Sequence, residues 1–424
     1  MRGKRSNGVI PAPAIIIARR DCGVDFQLAI DKPVTARGIS MFPILSVLLA
    51  LIFGCPAWAF AQQPAPAANA APPTAQQPSS PPSAGQNPQL VDRPRPPSTE
   101  RGAITPAGHI HLDVLVSDAA GKPVTGLGPQ DFKILDNGEP RRLLSFRSFD
   151  GVNVKPAPPV EVILVLDTVN LPFAQVSFVR QQITAFLQQN GGHLAQPLSI
   201  MLLTDAGLRV QPHSTVDGNA LKSVVDQIKG GVHSIYGAMG SDGELQRFQL
   251  SLRQMATIAE NEATRPGRKL LIWVGPGWPL LDSKNFTFSD KDQRTYFDTI
   301  VELSTKLREA RMPVYSISPS NVEAAQERAL LYQDFLKPVT SPRRADTGDL
   351  ALQVLALQSG GRVLGPDNNL VEQINACIGE ANAFYSLSFD PSHAAHANEF
   401  HTLKVEASQP GVSVRTNSAF YDQP

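Results

Sequence analysis

Residues 160–170 read Val-Glu-Val-Ile-Leu-Val-Leu-Asp-Thr-Val-Asn, a nearly unbroken apolar run that ends on a carboxylate and leads into a helical pattern. A strand with apolar residues at both parities has no face to offer water, so it needs cover on both sides, as in a parallel sheet layered with helices. Sheets of that kind bind ligands outside the carboxyl ends of their strands, which puts Asp167 at the candidate edge.

The following residues keep alternating between strand and helix. Val176, Val179, Ile183 and Phe186 have helical spacing, an apolar strand follows at 198–203, and Leu221, Val224, Val225 and Ile228 mark a helix stopped by Gly230 and Gly231. Leu245, Phe248, Leu252, Met255 and Ala259 define a longer helix, and Tyr296, Ile300, Leu303 and Leu307 another. Further helices near 349–359 and 369–382 flank a short strand at 362–364. This order predicts an α/β fold with a doubly wound, mostly parallel sheet over residues 159–383, whose inner strands are 162–166, 199–203, 270–274 and 314–318.

Period-two stretches bracket that unit. In residues 107–155, Ile110, Leu112, Val114 and Val116 alternate with polar neighbours, and Asp136-Asn137-Gly138 is a hairpin signal, so a small β-sandwich-like module is expected. Residues 384–424 alternate through Tyr385, Leu387 and Phe389, then Leu403 and Val405, then Val412 and Val414. These are expected to be β strands that either extend the sheet edge or pack on the N-terminal module.

Residues 1–61 read as a signal or leader segment, with an apolar run from Met41 to Phe53 and cleavage after Ala61. Pro43 and Pro56 bracket a run shorter than the ~20 residues that span a bilayer, so no transmembrane span is expected in the mature chain. The start lies at Met1 or nearer Met41, and Cys55 offers lipidation as an alternative to cleavage. Export to the periplasm or the medium follows, with envelope association as a variant. Residues 62–106 form a Pro/Ala/Gln-rich stretch with too little apolar surface to fold, and are expected to be a disordered linker. Without the leader the chain carries a net charge of −4, which argues against nucleic acid as a partner. Of Cys22, Cys55 and Cys377 only Cys377 then remains, on one helix face with Val371, Ile374 and Ile378, as expected of a buried thiol.

Several of these segments, in this order, resemble secreted von Willebrand factor A-type-related proteins of the Acidobacteria type. The resemblance rests on Gly121-Lys122-Pro123-Val124, on residues 131–138 (Asp-Phe-Lys-Ile-Leu-Asp-Asn-Gly), on the strand ending at Asp167, and on the later patterns at 384–389 and 410–415. It implies the fold and export, and no established activity. A-type domains that bind a divalent cation use Asp-x-Ser-x-Ser, a threonine in a second loop and an aspartate after a later strand. A hard cation of the Mg2+ type takes about six oxygens at about 2.1 Å. Here Asp167 matches the first aspartate, but Val169 and Leu171 occupy the serine positions, Ser234 stands nearest the threonine, and Gly275 replaces the third-loop carboxylate. Thr168 and Asn170 are polar but out of phase.

The expectation is therefore no cofactor and an edge formed by Asp167, Thr168, Asn170, Ser234 and Gly275 that binds a protein or cell-envelope polymer without catalysis. Asp167 remains the weak metal candidate of a degenerate Mg-type site, the first alternative reading. The second alternative is an envelope-acting hydrolase, although neither Gly-x-Ser-x-Gly nor a phosphate-cradling glycine loop is present. Asp205 reads as a turn residue. His393, His396 and His401 read as a solvated loop between strands rather than zinc ligands, and His109 and His111 as the solvent face of a strand.

Overall fold

In the computed structural model of the protein, the described residues are 90, 108–228, 240–281, 288–319 and 331–424. The leader, the linker apart from Leu90, and Ser234 lie outside them. The first strands are β1 (Ile110–Ser117), β2 (Phe132–Asp136), β3 (Glu139–Arg141), β4 (Leu143–Asp150) and β5 (Glu161–Asp167), followed by helix α1 (Phe173–Leu187). The middle of the chain forms β6 (His193–Thr204), β7 (Gly207–Val210), β8 (Thr215–Asp217), α2 (Gly218–Asp226), α3 (Ser241–Ala263), β9 (Lys269–Val274), α4 (Asp290–Glu309) and β10 (Val314–Ile317). The last part forms α5 (Leu352–Gln358), β11 (Arg362–Leu364), α6 (Leu370–Gly379), β12 (Ala383–Phe389), β13 (Glu399–Ala407), β14 (Ser413–Arg415) and β15 (Ala419–Asp422).

The central sheet runs β11-β10-β9-β5-β6-β7, with β8 also on β6. Its pairings from β11 through β6 are parallel, and β7 and β8 join antiparallel to β6. Every residue of β5 is buried. Its two parities serve two cores: Val162, Leu164 and Leu166 pack with Val176, Val179 and Ile183 of α1, Val224 of α2 and Ile374 of α6. Ile163 and Val165 pack with Phe248 and Met255 of α3, Ile300 and Leu303 of α4 and Leu355 of α5. Each such side chain contributes roughly 1.5–3 kcal/mol of apolar burial, so a polar residue at either parity would unseat one helical layer.

Helix ends follow local chemistry. Asp217 caps α2 by accepting from the Asn219 and Ala220 amides, and Ser289 with Asp292 forms a capping box on α4. Lys269 donates from its Nζ to Glu262 O at 2.9 Å in α3 and to Ala310 O at 3.3 Å beyond α4, so one buried ammonium closes two helix C-termini.

The remaining strands form two four-stranded sheets, β14-β1-β12-β4 and β15-β13-β2-β3. Leu112, Val114, Tyr385, Leu387 and Phe389 of the first meet Ile134, Leu403, Val405 and Phe420 of the second in a third core. The segments 107–155 and 384–424, separate in sequence, thus share both sheets: β12 lies between β1 and β4, pairing Leu112 with Leu387 and Phe146 with Leu387 from its two sides. Glu380 ties this part to the central sheet, its carboxylate 2.9 Å from Arg362 Nη1 and 2.6 Å from Arg415 Nη2 and accepting from Tyr315 OH at 2.8 Å.

Leu90 is the one described residue of the 62–106 stretch. It is 9% exposed and joins the α1 side of the core, and its carbonyl accepts from Arg209 Nη2 of β7 at 3.5 Å.

Removing residues 383–424 deletes β12 to β15 and leaves β1 and β4 without the strand between them. We expect such a chain to bind a hydrophobic dye strongly and to lose its cooperative thermal transition. A sharp melt at the wild-type midpoint would show that the central sheet is stable without them.

Candidate functional site

Asp167 ends β5 where the sequence places it, but it does not face solvent: it is 0% exposed. Its Oδ1 accepts from the amides of Val169 at 3.1 Å and Asn170 at 3.0 Å. Its Oδ2 accepts from Asn170 Nδ2 at 2.9 Å and from Trp273 Nε1 of β9 at 3.0 Å. Four donors therefore occupy both oxygens. Burial still dominates and holds the carboxyl above its ordinary pKa, against the lowering effect of those bonds.

The neighbouring residues explain why the edge closes on itself. Val169 and Leu171, at the positions where the A-type cation loop has serines, are buried in the two cores on either side of the sheet. Thr168 turns its hydroxyl inward and donates to Leu203 O of β6 at 2.6 Å. Asn170 also donates to Ser251 Oγ of α3 at 3.0 Å. Gly275 follows β9, and a Cβ there would lie 2.7 Å from Asp167 Cβ, so the close approach of β9's exit to the carboxylate needs glycine. The structure thus brings Asp167, Thr168, Asn170 and Gly275 together, as the underside of the edge rather than its exposed surface. The donor set does not fit a divalent ion of the Mg2+ type, because the carboxylate is spent on N–H donors and Val169 and Leu171 offer no oxygen. Among the described residues, no three His, Cys, Asp or Glu side chains converge as metal ligands.

Behind Trp273 the polar chain continues. Trp278 meets it edge-on at 5.5 Å and donates to Leu350 O at 2.9 Å, beside the buried Asp349. Asp349 accepts from the Asp346 amide at 2.7 Å. Burial, helped by the nearby Asp346 charge, pushes its carboxyl up to about 7.

Among the described residues near this edge, Phe173, the first residue of α1, is an exposed apolar group, at 58%. Sequence periodicity gave no reason to single it out. The sequence also misplaced His401. His393 and His396 are exposed, but His401 lies in β13, buried, with Nδ1 2.8 Å from the buried Asp136 Oδ1. Ser392 donates to the other oxygen of Asp136 at 2.6 Å from its hydroxyl and at 2.7 Å from its amide. Burial raises the Asp136 carboxyl, yet these bonds outweigh it and hold the group below its ordinary pKa. The set has the residue types of a hydrolytic triad but the wrong order: Ser392 sits on the Nδ1 side, and His401 Nε2 is buried with no partner. It works as a clasp between the β2–β3 hairpin and the loop before β13. Asp205 lies in the turn joining β6 and β7. His111 is half-buried, not on a free strand face, and Cys377 is buried, with its thiol pushed up by that burial. No helix among the described residues is long and apolar enough to cross a membrane.

No family model matches the chain, and no curated protein matches it. Similar solved structures include a von Willebrand factor type A protein from Catenulispora acidiphila, at 6% identity over 75% of each chain with a TM-score of 0.29. The SpRpn10 VWA domain is 13% identical over 51% of this chain and 94% of its own, with a TM-score of 0.23. The open form of the pilus adhesin SpaC from Lactobacillus rhamnosus GG is 9% identical over 78% of this chain and 55% of its own, with a TM-score of 0.30. At those levels the function is left to the geometry of this chain.

Two measurements check this geometry. Trp273→Phe removes one of four donors to a buried carboxylate and is expected to lower the unfolding free energy by about 1.5–3 kcal/mol in urea titrations at pH 7. A loss under ~0.5 kcal/mol would mean the bond contributes little. Asp349→Asn tests the raised carboxyl. A folded pKa of about 7 against 3.8 unfolded makes the wild type lose stability as pH rises from about 4 to about 7, with no further loss above. The variant should therefore gain on the wild type across that window and hold its advantage at pH 8; parallel stability curves from pH 4 to 8 would contradict the assignment.

Proposed function

We propose that the chain is an exported, non-enzymatic interaction module that engages a protein or envelope polymer through the edge above Asp167, by shape and apolar contact rather than through a cation. The observation that carries this reading is the four-donor enclosure of the Asp167 carboxylate, which occupies the hard ligand that the described part of the edge holds. The clasp of Asp167, Thr168, Asn170 and Gly275 then acts as a rigid floor, and recognition passes to the surface that α1 opens with Phe173. An exposed aromatic ring on a helix start fixed by a buried strand is the type of anchor that interfaces use. Export is supported by the apolar run before Ala61 and by the Pro-rich stretch after it, which would hold the folded part at a distance from the envelope.

The test pairs capture with stability. Phe173→Ser is expected to reduce capture of partners from native envelope extracts at least tenfold while leaving the thermal midpoint unchanged. Millimolar Mg2+ or Mn2+ should not shift that midpoint, whereas a ligand at 100 times its dissociation constant adds about 2.7 kcal/mol and is easily seen. A cation-induced rise that disappears in Asp167→Ala would replace this reading with the metal-dependent one, and capture undiminished by Phe173→Ser would move the binding surface elsewhere.

A further inference from the structure

We infer that the junction between the β12-containing sheet and the opposite, amino-terminal end of the central strands is a binding site for a small oxyanion, a phosphate or a carboxylate. A shallow cleft, open to solvent, is lined there by Arg147 of β4, Arg268 just before β9 and Arg311 after α4, with Phe149, Phe384, Ser386 and the segment Pro156 to Pro158 as its walls. No carboxylate lines it.

The cations are held in an arrangement that leaves charge to spare. Phe149 and Phe384 stack with centroids 4.7 Å apart, the Arg147 guanidinium lies 5.3 Å from the Phe149 ring, and that of Arg268 lies 4.7 Å from the Phe384 ring. Stacking on an aromatic face orients a guanidinium without neutralising it. Arg268 is 2% exposed, and its Nη1 donates to the carbonyls of Glu380 at 3.0 Å and Ala381 at 2.9 Å. Its Nε and Nη2 have no hydrogen-bond partner, the nearest acid being Asp113, 3.6 Å from Nε. A buried donor without an acceptor is costly, more so when it carries charge.

Counting the groups around the junction leaves the excess in place. Asp113 is taken by Arg311, whose Nε donates to it at 3.1 Å and whose Nη2 lies at 2.5 Å. Arg308 lines the adjoining cleft with His111, and its Nε is buried without a partner. Glu380 is neutralised by Arg362 and Arg415, and Arg265 pairs with Glu161 and Glu262. Among the described residues Arg147 and Arg308 therefore have no carboxylate partner, and Arg268 and Arg311 share the single carboxylate of Asp113, at 3.6 Å from Arg268 Nε. Planar guanidinium groups match the oxygens of phosphate and carboxylate, and a site half out of water strengthens the attraction. This site lies at the other end of the strands from Phe173, so it stands or falls separately from the proposed interaction edge.

The experiment is a thermal melt and calorimetric titration of the full chain with inorganic phosphate and, separately, galacturonate, each against chloride at matched ionic strength. Either ligand raising the midpoint and binding with one-site stoichiometry supports the site, and which of them does so separates phosphate from carboxylate. Arg147 is exposed and makes no structural ion pair, so Arg147→Gln should fold normally and bind at least tenfold more weakly, while Phe173→Ser should bind as the wild type does. Melts identical to chloride for both ligands, or affinity unchanged in Arg147→Gln, would overturn the proposal.

Discussion

A carboxylate buried at the end of an all-apolar strand can remain only if the protein supplies its hydrogen bonds, and that requirement organises the sheet around Asp167. Two donors come from the loop that follows β5, one from the side chain of Asn170 and one from Trp273 on the neighbouring β9. The indole bond works across strands: it fixes β9 against β5 at the position where both chains leave the sheet. Gly275 is then required for space, and Trp278 for filling the volume beside the indole. An A-type loop that holds a cation spends its carboxylate on metal. Asp167 spends its carboxylate on the fold, and Val169 and Leu171 in the same loop are core residues.

A second constraint comes from where the chain ends pair. β12 is the middle partner of β1 and β4, and β13 joins β2, so neither four-stranded sheet exists until residues almost three hundred positions apart have met. Contacts of that separation are slow to form because loop closure precedes any reward. The α/β unit between them shortens the search, since α6 delivers β12 directly from the central layer and Glu380 holds the turn through Arg362, Arg415 and Tyr315.

What the sequence made legible were the local periodicities. The double-sided burial of β5 was readable because Val162, Leu164 and Leu166 alternate with Ile163 and Val165, every one of them apolar, and no half-exposed strand has that pattern. The spacing of Val176, Val179 and Ile183 gave α1 for the same reason. The antiparallel β7 and β8 were not read, because four- and three-residue edge strands carry too few alternations to register. Partners distant in sequence were invisible: nothing near Asp167 announces Trp273, and nothing near Asp136 announces His401, 265 residues away. His401 looks like loop in the sequence because two exposed histidines precede it; the signal that places it in a strand is the alternation Phe400-His401-Thr402-Leu403, where it shares the inward parity with Leu403 and Val405. Leu90 was missed for the opposite reason, a single apolar residue having no period at all.

The two ends of the central strands treat charge differently, and the difference follows from how each buried group can be satisfied. A carboxylate only accepts, and a strand-to-helix loop is rich in free amides, so Asp167 is saturated locally. A guanidinium presents five donors in a fixed fork, more than two backbone carbonyls can use. Arg268 accordingly leaves part of its fork unspent after Glu380 and Ala381. A lysine there would have directed one ammonium at those carbonyls, as Lys269 does at the ends of α3 and α4, and would have had no planar face to lay on Phe384. Arginine at this position therefore secures the junction with one edge of its plane, while the other edge has only the Asp113 carboxylate it shares with Arg311, so this end of the sheet keeps an excess of positive charge that the self-contained edge at Asp167 does not.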